Sequence, residues 1–442
     1  NRGGEISSRA AVAITADDLD NSASGTIIGD AGLRLTVERM LNSALGRLLG
    51  RDALIVRGAS LDNSAGGTLS SQQSLDIALS GDLNNSDNGA LVSEGLLNLN
   101  ARALNNQAGT VSSAGNLVVN ASGGLDNRRG KLVTDGELQL ASSRLDNSAG
   151  TISGKTATRV QTGDLINQGG RLVGGTSLTL SAAKVDNRNQ GLLAAGSTLT
   201  ATVTELDQRG AGQLVSEGAL TLDMQRGTLN NSEHGLLAAS GPLLLNNLGA
   251  VNNSQGGEIS SNRSFALAAD SLNNQGGRVI SGQALMLRIN QILINSLSGV
   301  LSGTEALILQ AASLDNVGGS VASRGDIDVD VAGALNNSDA GTLSAGGQLD
   351  VKSATLDNSA QGLLASGGNL LLNTGAINNR GGQLLSQRAL QIAAGDIDNR
   401  HGVIGSEQAL RLDAARVDNQ AGLINSADSL ALTATTLDSS NQ

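Results

Sequence analysis

The chain has 442 residues but no Trp, Tyr or Cys and a single Phe, which excludes an aromatic core, disulfide bonds and thiolate metal sites. Its formal net charge of −11, without a basic stripe, argues against a nucleic-acid surface. The sequence contains no run of roughly 18 apolar residues, so it predicts no transmembrane helix. Its hydrophobic residues are evenly spread, which argues against disorder.

A repeat of about 21 residues fills the chain, and each copy contains an apolar residue, then Asp or Asn, then Asn. The phrase LDNSA stands at 19–23, 61–65, 145–149 and 356–360. The opening residues of the triplets are Leu19, Met40, Leu61, Leu83, Leu104, Leu125, Leu145, Leu165, Val185, Leu206, Leu229, Val251, Leu272, Leu293, Leu314, Leu335, Leu356, Ile377, Ile397, Val417 and Leu437. These residues lie 20–23 positions apart, which predicts a single repeat domain over residues 1–442 without a linker. Because neither end shows a polar cap, we expect a fragment of a longer filament.

Within each copy, the pattern predicts three short strands joined by Gly, Asn, Ser and Asp turns. An apolar residue follows a glycine after the triplet, as at Leu69 and Ile152, and a pair spaced by two precedes the next triplet, as at Leu138 and Leu140. A spacing of two places both side chains on one face of a strand. The predicted fold is all-β: a right-handed parallel β-helix of about 21 coils of 20–23 residues, with the hand taken from the rule for parallel crossovers.

The alternative solenoid is the leucine-rich repeat, which needs Asn between leucines and a helical segment behind them. The stretch at 31–50 is the nearest to a helix, but it keeps the register of the repeat through Met40 and Asn42. We therefore favour the β-helix.

The third residue of the triplet is Asn in 19 of 21 copies, with Gln208 and Ser439 as the exceptions. By strand parity it points inward like the opening residue, and a buried amide must be paired. Stacking each Asn on the next predicts a structural asparagine ladder. Its members are Asn21, Asn42, Asn63, Asn85, Asn106, Asn127, Asn147, Asn167, Asn187, Asn231, Asn253, Asn274, Asn295, Asn316, Asn337, Asn358, Asn379, Asn399 and Asn419.

The middle residue of the triplet should point outward, and it is Asp in eleven copies and Asn in seven. Interspersed Asn relieves the repulsion of stacked carboxylates, which amounts to about 1 kcal/mol per pair in water. The longest unbroken acidic run is Asp398, Asp418 and Asp438. It allows weak calcium binding, although the calcium-binding β-roll signature is absent and a solvated face is favoured.

Few other residues suggest chemistry, and we predict no catalytic, cofactor-binding or metal site and no cofactor. His234 and His401 lie about eight copies apart in predicted turns, too far to share a centre. The glycine pairs at 66–67, 169–170 and 380–381 lack the lysine and the helix of a phosphate-binding loop. Phe265 stands at a position of the repeat that is usually leucine. The most irregular stretch is 206–251, which contains Gln208, His234, Pro242 and a two-residue excess before Leu229; a tolerated bulge is favoured over a site.

Tandem units of the form LDNSAGTISG followed by L-x-L and LDN resemble the haemagglutinin repeats of filamentous haemagglutinin-like exoproteins. The resemblance covers the whole chain. It implies a right-handed parallel β-helix in a large protein secreted by a two-partner secretion system of Gram-negative bacteria. The implied partners are the outer-membrane transporter of that system and an unidentified receptor or glycan on a host or neighbouring cell.

The resemblance leaves two functions open: the surface-exposed shaft of an adhesin with a role in virulence, or the stalk of a contact-dependent growth inhibition toxin. The downstream reading frame distinguishes them, because a variable nuclease-like domain followed by an immunity gene indicates the toxin. A polysaccharide-active β-helix enzyme is a weaker alternative. Such enzymes gather carboxylates and basic residues on long loops, and the longest copy here exceeds the mean by only about two residues.

Overall fold

A computed structural model describes residues 1–440, in which the chain forms 51 β-strands and no helix. The chain divides into two compact units, Asn1–Gly218 (unit 1) and Ala219–Gln442 (unit 2). Each unit is a parallel β-solenoid, and together they contain about 21 turns. The predicted parallel β-helical class is therefore confirmed. No helix in the described part of the chain has the length and apolarity of a membrane span.

Unit 1 contains two kinds of strand, which form sheet A and sheet B. The strands of sheet A are Glu5–Ser8, Thr26–Gly29, Arg47–Gly50, Thr68–Ser71, Ala90–Ser93, Thr110–Ser113, Lys131–Thr134, Thr151–Gly154, Arg171–Gly174, Leu192–Ala195 and Gln213–Ser216. The strands of sheet B are Val12–Asp20, Leu33–Leu41, Ala53–Gly58, Ser60–Asp62, Ser74–Leu79, Asp82–Asn84, Leu96–Asn105, Leu117–Asp126, Leu138–Ser142, Arg144–Asp146, Ala157–Gln161, Asp164–Ile166, Ser177–Ser181, Lys184–Asp186, Thr198–Thr202 and Glu205–Asp207. Equivalent residues of successive copies pair in register, as Leu48 does with Leu69.

Unit 2 repeats this arrangement. Its sheet A strands are Leu236–Ala239, Glu258–Ser261, Arg278–Ser281, Val300–Gly303, Ser320–Ser323, Thr342–Ala345, Leu363–Ser366, Gln383–Ser386, Val403–Ser406 and Leu423–Ser426. Its sheet B strands are Ala219–Asp223, Thr228–Asn230, Leu243–Asn246, Ala250–Asn252, Phe265–Ala269, Ser271–Asn273, Ala284–Ile294, Ala306–Asp315, Asp326–Asn336, Leu349–Asp357, Leu370–Asn378, Leu390–Asp398, Leu410–Asp418 and Leu430–Asp438. The register again joins equivalent residues, for example Leu364 and Leu384.

The expectation of three short strands in every coil holds for only nine coils in residues 1–440. In the other twelve, the second and third strands are one continuous strand of 9–11 residues that passes through the bend. Between some of these strands the bend appears as a shift in register, as between Ala101 and Ala103, whereas others keep their register through it. The hydrogen bonding between neighbouring strands therefore continues through the bend without a separate turn.

The core of each unit is a column of aliphatic side chains with about four per coil. In one coil of unit 1 these are Leu132 from sheet A and Leu138, Leu140 and Leu145 from sheet B, none more than 3% exposed. Burial of one such side chain contributes about 1.5–3 kcal/mol. The stretch at 31–50 forms the strands Leu33–Leu41 and Arg47–Gly50 rather than a helix.

Candidate functional site

The asparagines of the third triplet position form a hydrogen-bonded column inside each unit. In unit 1 the Nδ2 of each Asn donates to the Oδ1 of the Asn one coil later, from Asn1 to Asn187, at 2.6–2.8 Å. In unit 2 the same bonds run from Asn231 to Asn419 at 2.6–2.8 Å. The side chains from Asn21 onward are buried, and that of Asn1 is half-buried. We call these columns the asparagine ladder.

Each ladder amide is oriented by the backbone around it. The Nδ2 of Asn337 also lies within hydrogen-bonding distance of the carbonyl oxygens of Gly341 (2.9 Å) and Leu363 (3.2 Å). A flipped amide would set its own oxygen against those two oxygens. The donor direction along the ladder is therefore fixed by main-chain acceptors.

The ladder weakens where Asn is replaced. Asn187 donates to the Oε1 of Gln208 at 3.3 Å, and Asn419 donates to the hydroxyl of Ser439 at 3.5 Å. Asn1 is also a ladder member, although no triplet pattern marks it in the sequence. The spacing from Asn1 through Gly4 to Ile6 matches the later corners and is the signal that could have found it.

A glycine closes each corner directly against the ladder. At Gly67 a Cβ atom would lie 2.2 Å from the carbonyl oxygen of Asn42 and 2.6 Å from the Oδ1 of Asn63. Its φ is not positive, so the need for glycine arises from this close approach. The corner therefore requires glycine because the ladder lies directly beside it.

The middle triplet residue does more than face water, because it caps the turn that follows. The Oδ1 of Asp20 accepts the backbone N–H of Ser22 at 3.0 Å, and the hydroxyl of Ser22 also donates to it. These bonds lower the pKa of Asp20. Asn can form the same cap, since Asn84 Oδ1 accepts the N–H of Ser86 at 3.3 Å, and it can bridge to the preceding coil, since Asn84 Nδ2 donates to Asp62 Oδ1 at 3.1 Å. Asp and Asn are thus the residues that suit this column.

The carboxylates of the acidic run in unit 2 already pair with neighbouring side chains. Arg400 Nη2 lies 2.5 Å from Asp398 Oδ2, and its Nε lies 3.8 Å from Asp418 Oδ2. Gln420 donates to Asp438 at 2.7 Å. A cation would have to displace these donors. Within residues 1–440, no group of three or more His, Asp or Glu side chains is placed to hold a metal ion.

The two histidines lie at exposed corners, and in each glycine pair the second glycine is buried against the ladder. His234 and His401 have positive φ values of 65° and 55°. In the pair at 66–67, Gly66 has a φ of 79° and Gly67 lies against the ladder. A strand follows this pair, so the backbone amides of a helix start are not available there for a phosphate.

The irregular stretch at 206–251 contributes to both units: Gln208 lies in unit 1 and the two-residue excess in unit 2. The excess forms a turn between Ala219–Asp223 and Thr228–Asn230, with Met224 buried inside it. Asn247 of the next coil donates to Asp223 at 3.0 Å and supports the turn. In unit 2 this is a braced bulge with no long loop.

The remaining irregular residues are also structural. Pro242 precedes the strand Leu243–Asn246, and its carbonyl accepts the N–H of Leu220 at 2.9 Å. Phe265 is 6% exposed and pairs in register with Leu285 of the next coil.

A carboxylate pair on the outer face of unit 2 provides a test by pH. Asp328 lies in register with Asp350. Burial raises the pKa of Asp328, and the charges of Asp350 and Asp330 raise it further against the opposing effect of Lys352. Folding therefore favours the protonated acid, and this stabilisation is lost as the pH rises through the raised pKa. We expect Asp328→Asn to raise the melting temperature at about pH 7 and to have little effect near pH 3.

The control for this prediction has the opposite sign. The side chain of Arg400 lowers the pKa of Asp398, so its stabilisation is present above the unfolded pKa and lost as the pH falls. Asp398→Asn should lower the melting temperature near neutral pH, with a smaller effect in acid. Circular dichroism melts at several pH values measure both variants, and the same sign for both would contradict the assignment.

A match to a known protein family follows the repeat along the chain. The family model described as haemagglutinin repeat matches residues 1–39, 33–87, 80–129, 119–183, 166–241, 226–296, 286–353 and 330–442. No curated protein and no solved structure matches significantly.

Proposed function

Because the chain belongs to the haemagglutinin repeat family, we propose that it is the non-enzymatic, surface-exposed shaft of a large secreted adhesin of the filamentous haemagglutinin type. Haemagglutinin repeats indicate a secreted, extracellular protein. The finer proposal is that the shaft leaves a Gram-negative cell through a two-partner secretion transporter and projects from the outer membrane to mediate cell contact.

The proposal rests on one observation: nearly every inward-facing side chain of a coil makes the same contacts as its equivalents in the other coils. Each coil repeats an aliphatic column, a ladder amide and a corner glycine, and the largest departure is a braced two-residue bulge. Catalytic sites on solenoids need functional groups gathered on loops from adjacent coils. A shaft requires only that each coil stack on its neighbour.

The location is tested on intact cells of the producing bacterium. Antibody against residues 1–442 should label the cell surface, and external protease should remove the label. A chain that is detected only after lysis would overturn the proposal. Incubation of the purified chain with acidic polysaccharides should produce no new reducing ends, and turnover would overturn the non-enzymatic role.

The modular character of the shaft gives a further prediction. Deletion of residues 316–357 removes two whole coils of unit 2 and joins Asp315 to Asn358, so the triplet at the junction is again Leu-Asp-Asn. We expect this variant to keep a β-type circular dichroism spectrum and a cooperative melt, because stability sums over neighbouring coils.

The matched control deletes residues 316–347, about one and a half coils, and joins Asp315 to Gln348. It breaks the register of the aliphatic column and the ladder, so the coils near the junction should lose hydrogen-exchange protection. Equal behaviour of the two deletions would contradict a stack of interchangeable coils.

A further inference from the structure

A groove crosses the outside of unit 1 over five consecutive coils, at the bend of sheet B. It has a volume of about 800 Å³ and extends from Leu79 to Gln161, within the range of small-ligand sites. Its floor contains Ala101, Ala121 and Ala141, which are small enough to leave the bend concave.

Amide groups line this groove at regular intervals. Asn100 and Asn120 are exposed and lie in register on adjacent strands. Asn120 Nδ2 donates to Asn100 Oδ1 at 2.9 Å, which leaves the N–H groups of Asn100 directed to solvent. Ser122 and Gln161 add further polar groups. Strand spacing places such groups about 4.8 Å apart along the groove.

A second depression of about 480 Å³ adjoins the groove and shares Arg102 with it. Arg102 pairs with Asp82, and Arg128 pairs with Asp126 at 2.5 Å. Arg144 also lines this depression, and its side chain forms no ion pair or hydrogen bond within residues 1–440. One guanidinium is therefore available for an anion.

We infer that the groove and the adjoining depression together bind one acidic polysaccharide, with a carboxylate on Arg144 in the depression and ring hydroxyls on the amides of Asn100 and Asn120 in the groove. A planar guanidinium matches a carboxylate with two parallel hydrogen bonds. The net charge of −11 repels polyanions in general, so the attraction is local to this groove. The inference rests on the proposed surface exposure of the shaft.

The absence of aromatic side chains shapes the recognition. The sequence has no Trp or Tyr, and Phe265 is buried, so sugar rings cannot stack on an exposed aromatic face. Affinity must come from hydrogen bonds and one ion pair spread over several coils. An extended chain of sugars, laid across the coils, satisfies more of these groups than a monosaccharide does.

The test is calorimetric titration of the full chain with oligogalacturonate and with its methyl ester, which lacks the charge. We expect the acid to bind and the ester to bind at least tenfold more weakly, since a charged hydrogen bond accounts for about one decade in affinity or more. Arg144→Gln should remove the same factor. The double variant Asn100→Ala with Asn120→Ala should bind both the acid and the ester more weakly.

Arg171→Gln is the matched control, because Arg171 is exposed on sheet A of the same unit and its side chain also forms no ion pair or hydrogen bond with the described residues. Absence of oligogalacturonate binding, equal binding of acid and ester, an equal effect of both Arg variants, or tighter binding of a sulfated glycan such as heparin would overturn the inference. None of these results bears on the proposed function as a shaft, which is tested separately by surface labelling and by the deletions in unit 2.

Discussion

Asn274→Asp is expected to destabilise unit 2 by about 4 kcal/mol or more. The Nδ2 of Asn274 donates to Asn295 Oδ1 at 2.7 Å and lies within hydrogen-bonding distance of the carbonyls of Gly277 and Val300, and the side chain is fully buried. A carboxylate at this position has no proton to donate and faces three oxygens. Hydrogen exchange should show the loss in the coils on both sides, with a lower melting temperature for the unit.

The adjacent residue gives the control. Asn273 has the middle triplet position, where its Oδ1 accepts the N–H of Gln275 at 3.1 Å, and its register partners are Asn252 and Ile294. Asp can accept the same bond without a charged neighbour in the column. We expect Asn273→Asp to change stability by less than about 1 kcal/mol.

The pH dependence separates a lost hydrogen bond from simple misfolding. A buried carboxyl at position 274 should have a raised pKa, and once protonated it regains one donor. The penalty of Asn274→Asp should therefore shrink as the pH falls through that raised pKa. Equal losses for both substitutions, or a penalty that does not change with pH, would refute the ladder as a source of stability.

Gly382→Ala is expected to destabilise unit 2 by about 3 kcal/mol, because the added methyl group has no room. A Cβ atom there would lie 1.9 Å from the carbonyl oxygen of Asn358 and 2.7 Å from the Oδ1 of Asn379. Both atoms belong to ladder residues and one is a main-chain carbonyl oxygen, so accommodation requires the backbone of two coils to separate. The measurement is the melting temperature together with exchange of the ladder amides.

Gly381→Ala is the control for this substitution. Gly381 has a φ of 64°, and nothing lies within 4 Å of the position of its Cβ. Ala149 and Ala421 adopt similar φ values at equivalent corners. The cost should be about 1 kcal/mol from the left-handed backbone alone. A larger loss at Gly381 than at Gly382 would contradict the close-approach explanation.

The sequence predicted the fold because the same pattern is repeated 21 times and strand parity has only two outcomes. The inward position of Leu138 and Leu140 followed from a spacing of two. Parity could not predict that Asp20 caps its own turn, because this depends on the backbone of the corner. The number of strands per coil also depended on local geometry, since a bend can be absorbed without a break in hydrogen bonding.

The groove in unit 1 had no signal in the sequence. Its floor consists of alanines, which read as ordinary small residues in a chain rich in them. Its polar groups come from five different coils and share no motif. The free guanidinium of Arg144 is recognised only when every acidic neighbour has been placed. Variation outside the repeated columns is therefore where structure adds most to the sequence.

The fixed orientation of the ladder amides gives each unit an electrical polarity. Every Nδ2 points toward higher residue numbers, so the amide dipoles of successive coils add rather than cancel, as peptide dipoles do in a helix. Each unit therefore has a direction along its stack of coils, because the ladder dipoles all point the same way.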